Sequence, residues 1–488
     1  MSKNLKAKTI SGFGWNAVET FLGHGVTFIV GLILARLLSP DEYGLIGIVT
    51  IFTTVLSGFI DCGFTSSLIR KVDVSNDDYN TMFITNMVFS IVMYSALFFG
   101  APFIADFFSR PQLTILVRVT GLILIIHALA IVQNTNLTKK LDFKTKARVS
   151  VSSSIISGIV GLAMAFMGFG VWALVAQQLA RHGFNSLGLW FYNRWWPNFR
   201  FNIESFRYMW GFGWKMMLSG FLNRLWDELN QVVVGKFYSP ALLGHYTRAN
   251  EYAKLFSSNF SAIIQKVTYP VLSELQTDTS RMVTAYRKVI KLSVFISSIL
   301  LISMGAVAEP FIYCLIGPQW HIAATFLPLI CILLSSQPLH SLNLNMLQVM
   351  GRSDIFLYLE IIKKVIYIIP ILLGIFFSIY WMLIGSILLS VVSFFLNTYY
   401  TGKKLGYTSW MQLKDIAPSY GLALIIAVSV YFFKYLPISN FIILPIQIIV
   451  GATVFFVICE KTRWEEYVEL KSIATNYLSK LKRNKKHK

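Results

Sequence analysis

Apolar residues run along this chain in long stretches separated by short polar breaks. A helix needs about 20 mainly apolar residues to cross the hydrocarbon of a bilayer. That ruler predicts spans near 11–37, 43–68, 80–104, 112–136, 148–167, 171–193, 209–236, 243–268, 285–308, 322–346, 355–377, 380–401, 416–435 and 440–459. The eighth, which carries Arg248, Glu251 and Lys254, is the least apolar of them. The expected class is an all-α integral membrane protein of about fourteen transmembrane helices. The breaks between spans are too short to house a soluble domain, and several are tight turns such as 39–44, 168–170 and 378–380.

Composition supports lipid as the solvent. Of 488 residues, 55% are apolar and 14% charged, with a mean hydropathy of +0.60. Soluble domains carry roughly 25% charged residues, and single water-soluble cores stop growing at roughly 250–300 residues. A net charge of +20 would suggest nucleic acid in a soluble protein. Here position matters more than sum, because cytoplasmic loops of membrane proteins collect Lys and Arg. With the N-terminus taken as cytoplasmic, the inner segments hold Lys3, Lys6 and Lys8, then Arg70 and Lys71, then Lys139 to Arg148, then Arg194, Arg200 and Arg207. The pattern continues with Lys266 to Lys291, Arg352, Lys403, Lys404 and Lys414, and a basic tail from Lys461 to Lys488. Only Arg36, Arg110, Lys236 and Lys434 fall on the outer side. A missed helix in mid-chain would destroy this alternation, so both termini are expected in the cytoplasm. Nucleic acid is not an expected partner, and the tail is expected on the anionic inner leaflet. The N-terminal lysines resemble a signal peptide, but the apolar segment after them is too long and is interrupted by Glu19 and His24; a retained first helix is expected. Cys62, Cys314, Cys331 and Cys459 are scattered, without metal or disulfide spacing.

The chain repeats itself. Gly12-Phe13-Gly14-Trp15 recurs as Gly211-Phe212-Gly213-Trp214, and Ser39-Pro40-x-x-x-Gly44 recurs as Ser239-Pro240-x-x-x-Gly244. Six helices separate the copies, so they share orientation, as in parallel-repeat transporters whose path runs between the lobes. The predicted organisation is a lobe over 1–200, a second over 201–405, two further helices over 406–462 and a basic tail over 463–488. The first helix of each lobe carries a polar stripe: Asn16, Thr20, His24 and Thr27 in one, Ser219, Asn223, Asp227 and Gln231 in the other. Steps of three and four place each set on one helical face. Such stripes either glue helices together or wall a shared cavity.

Ionisable groups at membrane depth face a cavity or a partner. Arg224 with Glu228, Arg248 with Glu251, and Glu360 with Lys363 and Lys364 stand at spacings that allow local ion pairs. Arg118 and Arg181 have no such neighbour; Glu19 and Asp61, the carboxylates at membrane depth in the same lobe, are their candidate partners. Arginine stays charged in low dielectric and grips phosphate with two N–H groups. Arg118, Arg181, Arg224, Arg248, Asn223, His24 and Thr20 are therefore the substrate-contact candidates. Glu19, Asp61 and Asp227 are equivalent candidates for a coupling Na⁺ or H⁺. His127 reads as a packing residue. No phosphate-binding loop, metal-ligand cluster or nucleophile motif is present, so neither catalysis nor a cofactor is expected.

The Lys-rich start, residues 12–15, the segment Leu34-Ala35-Arg36-Leu37-Leu38-Ser39-Pro40 followed by Tyr43-Gly44, and Asp61-x-Gly63 resemble polysaccharide exporters. These belong to the multidrug/oligosaccharidyl-lipid/polysaccharide (MOP) flippase superfamily, and the chain is similar over its whole length to Wzx-type O-unit flippases of the colanic-acid-exporter branch. The resemblance implies transfer of undecaprenyl-diphosphate-linked oligosaccharides across the bacterial inner membrane through a cationic cavity, by alternating access. It also implies membrane lipids as surroundings, and a polysaccharide polymerase and chain-length proteins as partners. Two rivals share the fold, a small-molecule exporter and a flippase for the peptidoglycan precursor. An exporter of cations should show acids outnumbering bases at membrane depth, which this chain does not. A membrane polymerase or ligase should carry a large outer loop with catalytic Arg or His, which is absent.

Overall fold

The computed structural model describes residues 22–23, 25–276, 278–472 and 475. Glu19, Thr20, His24 and the first Gly-Phe-Gly-Trp block lie outside the described residues. Among the described residues no strand occurs, and the chain divides into two compact units, 1–247 and 248–488.

The first unit contains α1 (Gly25–Leu37), α2 (Pro40–Ile60), α3 (Phe64–Arg70), α4 (Asn76–Phe107), α5 (Leu113–Thr120), α6 (Leu122–Lys139), α7 (Phe143–Phe166), α8 (Val171–Asn193), α9 (Ile203–Phe237) and the start of α10 (Pro240–Glu274). The second holds the rest of α10, then α11 (Thr279–Ala306), α12 (Ala308–Ile316), α13 (His321–Ser335), α14 (Gln337–Val349), α15 (Ser353–Ile366), α16 (Ile368–Phe376), α17 (Ile379–Leu405), α18 (Ser409–Tyr431) and α19 (Asn440–Thr462). Among the described residues, 9 helical segments are long and apolar enough to cross a membrane. The predicted spans outside that set fall on α8, α9, α10 and α15–α16, which are helical but more polar, and on α1, which is shorter. The all-α membrane class is as the sequence predicted.

Within the first unit, segments predicted to share a side do meet. At the end rich in basic residues, Lys139 Nζ donates to the Leu68 carbonyl at 3.1 Å, Trp195 Nε1 to Asn76 Oδ1 at 2.7 Å, and the Asn202 amide to Thr81 Oγ1 at 3.0 Å. At the opposite end Lys236 donates to the Phe107 carbonyl and Gly170 abuts Glu42. The second unit is tied at one end by Arg287–Asp415, and by Lys288–Glu469 at 2.7 Å. At its other end Tyr380 and Thr325 hydroxyls are 2.8 Å apart.

The repeated motifs mark places where backbones touch. Ser39 caps α2: its hydroxyl accepts from the Glu42 amide, and Glu42 Oε2 accepts from the Ser39 amide at 2.7 Å. Four residues into α2, a Cβ on Gly44 would lie 1.8 Å from the Pro240 carbonyl oxygen. In return, a Cβ on Gly244 would lie 2.0 Å from the Pro40 carbonyl oxygen. A contact that maps onto itself when the two copies are exchanged is what a two-fold relation requires. Only glycine permits either approach.

A second glycine pair sets the α2–α3 break. Cys62 (φ 49°) and Gly63 (φ 69°) adopt left-handed backbone, which ends α2 and starts α3. A Cβ on Gly63 would meet the Gly213 carbonyl oxygen at 2.6 Å, and one on Gly213 the Cys62 carbonyl oxygen at 2.4 Å. Asp61-x-Gly63 and the second Gly-Phe-Gly-Trp block are thus one junction, where α9 crosses the broken second span. Asp61 completes the break by accepting the Thr65 amide at 3.2 Å.

Candidate functional site: two adjoining polar cavities in the first unit

Because Asp61 sits where α2 stops, its carboxylate points off the helix axis into a cavity of about 360 Å³. This compartment is lined by Ser57, Gly58, Asp61 and Thr65 from the second span, His127 and Asn134 from α6, Asn185 from α8, and Met216, Met217, Gly220 and Arg224 from α9. Asp61 Oδ1 accepts from Thr65 Oγ1 as well as from its amide, and Thr65 Oγ1 lies 3.1 Å from Thr135 Oγ1 of α6. Arg224 crosses to α2, donating from Nη1 to Ser57 Oγ at 2.6 Å and to the Thr54 carbonyl at 3.2 Å. The sequence spacing pointed it at Glu228 instead. A tertiary acceptor on α2 replaces that intrahelical pair, and Glu228 accepts from Gln231.

A second cavity of about 250 Å³ adjoins the first, for Asn134, Asn185 and Leu189 line both. Its other walls are Lys146, Ser150 and Ser153 of α7 and Arg181 and His182 of α8. Steps of three and four put 146, 150 and 153 on one face of α7, and 181 and 185 on one face of α8. Lys146 is steadied by donating to Thr138 Oγ1 at 3.0 Å. The rings of His127 and His182 meet edge to face at 6.2 Å, one from each compartment. His127 Nδ1 is buried without a hydrogen-bond partner among the described residues.

Arg181 is half-buried in this second cavity and has no hydrogen-bond or ion-pair partner among the described residues. An ion held away from water is costly unless paired or hydrogen-bonded. Among the described residues, that guanidinium faces the open volume of the compartment.

Other sequence candidates are placed elsewhere. Arg118 lines neither cavity; its Nε donates to the Phe98 carbonyl at 3.2 Å and its guanidinium lies over the Phe98 ring at 4.4 Å. Arg248, in the second unit, pairs with Glu251 at 2.8 Å, as its spacing indicated, and Lys363 pairs with Glu360. Asn223 and Asp227 are exposed on α9 and outside both cavities; the cavity face of that helix is Met216, Met217, Gly220 and Arg224. Asp61 pairs with neither Arg118 nor Arg181. Lys146, Asn134, Asn185 and His182 were not singled out from the sequence, although the 146–150–153 and 181–185 spacings were there to be read.

A family model described as "Polysaccharide biosynthesis protein" matches residues 33–325, more than half of the chain. The chain belongs to that family. The succinoglycan biosynthesis transport protein ExoT of Rhizobium meliloti (strain 1021) is 24% identical over 333 residues, 68% of this chain and 67% of that protein. The lipopolysaccharide biosynthesis protein WzxC of Escherichia coli (strain K12) is 23% identical, covering 76% of each. Among solved structures, lipid II flippase MurJ in an inward closed conformation superposes with a TM-score of 0.70 at 14% identity, over 92% of this chain and 99% of that one. At that identity the match shows the fold. The resemblance to polysaccharide exporters is borne out by the family and by these relatives, WzxC among them.

Proposed function

We propose that this member of the family is a flippase for polysaccharide repeat units carried on an undecaprenyl diphosphate, moving them from the inner to the outer leaflet of the bacterial inner membrane. In this reading the chain crosses fourteen times with both ends cytoplasmic, and its lobes, 1–200 and 201–405, alternate access with the help of a Na⁺ or H⁺ gradient. A diphosphate and its sugars cannot enter hydrocarbon unaided, since each unpaired polar group costs several kcal/mol and an ion far more. The observation that carries the reading is Arg181, a guanidinium without a partner among the described residues, facing a cavity that also holds Lys146. Among the described residues the charged groups lining the two cavities are Lys146, Arg181, Arg224 and Asp61, a balance that favours an anionic cargo over the cations of a drug exporter. The named relatives agree in kind: ExoT is a transport protein and MurJ a flippase.

The test is binding of farnesyl diphosphate, with farnesol as control, to the full chain in lipid nanodiscs. Charged hydrogen bonds contribute about 1.5–3 kcal/mol, so Arg181→Ala should weaken farnesyl diphosphate about ten- to a hundredfold. Lys146→Ala should weaken it by a smaller factor, and farnesol should not respond to either. In cells both variants should lower surface polysaccharide at normal expression. Equal affinity of wild type and Arg181→Ala for farnesyl diphosphate would remove the proposed site.

A further inference from the structure

The two compartments differ in what they leave unsatisfied. The Lys146–Arg181 side presents cations. The other side presents an acceptor: Asp61 engages Thr65 through Oδ1, while its Oδ2 has no hydrogen-bond partner among the described residues. Arg224, the nearby cation, is already directed to Ser57 and Thr54. The side-chain amides of Asn134 and Asn185 also have no partner among the described residues, and both stand on the wall common to the two cavities. Met216 and Met217 supply an apolar, adaptable surface opposite.

This set of groups suits a neutral pyranose. An amide offers one acceptor and two donors, which match hydroxyl groups in either sense, whereas a carboxylate only accepts. A carboxylate therefore favours a hydroxyl and repels an anion, and like-charge juxtaposition is a strong means of rejecting a wrong partner. A diphosphate held at Arg181 would place the group bonded to it beside Asn134 and Asn185, and that group would next meet Asp61.

Resting on the reading of the Lys146–Arg181 compartment as the diphosphate site, we propose that the Asp61 compartment receives the sugar bonded directly to the diphosphate. Asp61 selects there for a neutral, hydroxyl-bearing sugar against a uronic acid or phosphorylated sugar. Asp61 is a specificity-determining residue, and the pair Asn134 and Asn185 positions the sugar between the two compartments.

The experiment uses the full chain in nanodiscs with three probes: farnesyl diphosphate, farnesyl diphosphoglucose and farnesyl diphosphoglucuronate. Wild type should bind the glucose conjugate about tenfold more tightly than farnesyl diphosphate, and about tenfold more tightly than the glucuronate conjugate. Asp61→Asn, which keeps an oxygen for the Thr65 amide, should shrink the glucose-to-glucuronate ratio to about unity, with farnesyl diphosphate bound no more weakly than by wild type. Should Asp61→Asn fail to fold, Asn185→Ala serves instead: it should abolish the advantage of the glucose conjugate over farnesyl diphosphate. Equal binding of all three probes by wild type, or an unchanged sugar preference in a folded variant, overturns the proposal while leaving the diphosphate site standing. No binding of farnesyl diphosphate by wild type removes both.

Discussion

The two compact units bury polar side chains to opposite ends. In the second unit one buried cluster satisfies itself. Tyr286 donates to Asn343 Oδ1 at 2.8 Å, Asn343 and Gln412 exchange amide hydrogen bonds at 3.2 Å, and Thr401 also reaches Asn343. Nearby, His340 Nε2 lies 2.8 Å from Ser390 Oγ, which is 2.8 Å from Ser336 Oγ. The first unit leaves Arg181, Asn134, Asn185 and one oxygen of Asp61 facing open volume. Polar groups inside a membrane protein either act as glue or remain available to a ligand. The kind of residue does not separate the two cases, since asparagines serve in both. The presence of a partner within reach does.

That contrast can be broken at Asn343. Asn343→Leu orphans Tyr286 and Gln412 in a buried site, at about 1–3 kcal/mol for each group left unpaired. The thermal unfolding midpoint should drop by several degrees, with transport per folded molecule unchanged. Transport lost at unchanged thermal stability would show that the second interior is a site as well. Arg118→Ala sharpens the comparison from the other side. It removes one hydrogen bond and a ring contact, about 1 kcal/mol of stability, and should leave farnesyl diphosphate affinity at the wild-type value, unlike Arg181→Ala. Calorimetry on the two variants side by side checks this. The smallest effect is expected from Ser336→Ala, which deletes a hydroxyl bonded to the Leu333 carbonyl of its own chain segment and to Ser390 Oγ; the interhelical bond is worth about 0.6 kcal/mol in membrane interiors, and a thermal shift near the detection limit is the expected reading.

Much of the first unit was legible in the sequence. The length of each apolar stretch located the long apolar helices, and the recurring Ser-Pro-x-x-x-Gly motif and the second Gly-Phe-Gly-Trp block stood out, although not as the places where backbones touch. Arg181 stood out because no carboxylate lies one helical turn away. Lys146 was read as part of a loop, because the boundary between the fourth and fifth predicted spans was drawn by hydropathy. In the structure Asp142 accepts the Thr145 amide at 3.1 Å and starts α7 at Phe143, which turns Lys146 towards Arg181. Asn134 and Asn185 passed unnoticed because an uncharged amide raises no alarm in an apolar window. Arg224 was misdirected towards Glu228 because sequence spacing shows only partners on the same helix.

Residue order alone settled the lipid solvent, the helical class, the recurrence of the Ser-Pro-x-x-x-Gly motif and the excess of basic residues. Each of these follows from local properties: segment length, residue type and recurrence. Which charges remain available was decided only by tertiary structure. Availability depends on whether another helix brings an acceptor within hydrogen-bond distance, as α2 does for Arg224 and no described element does for Arg181.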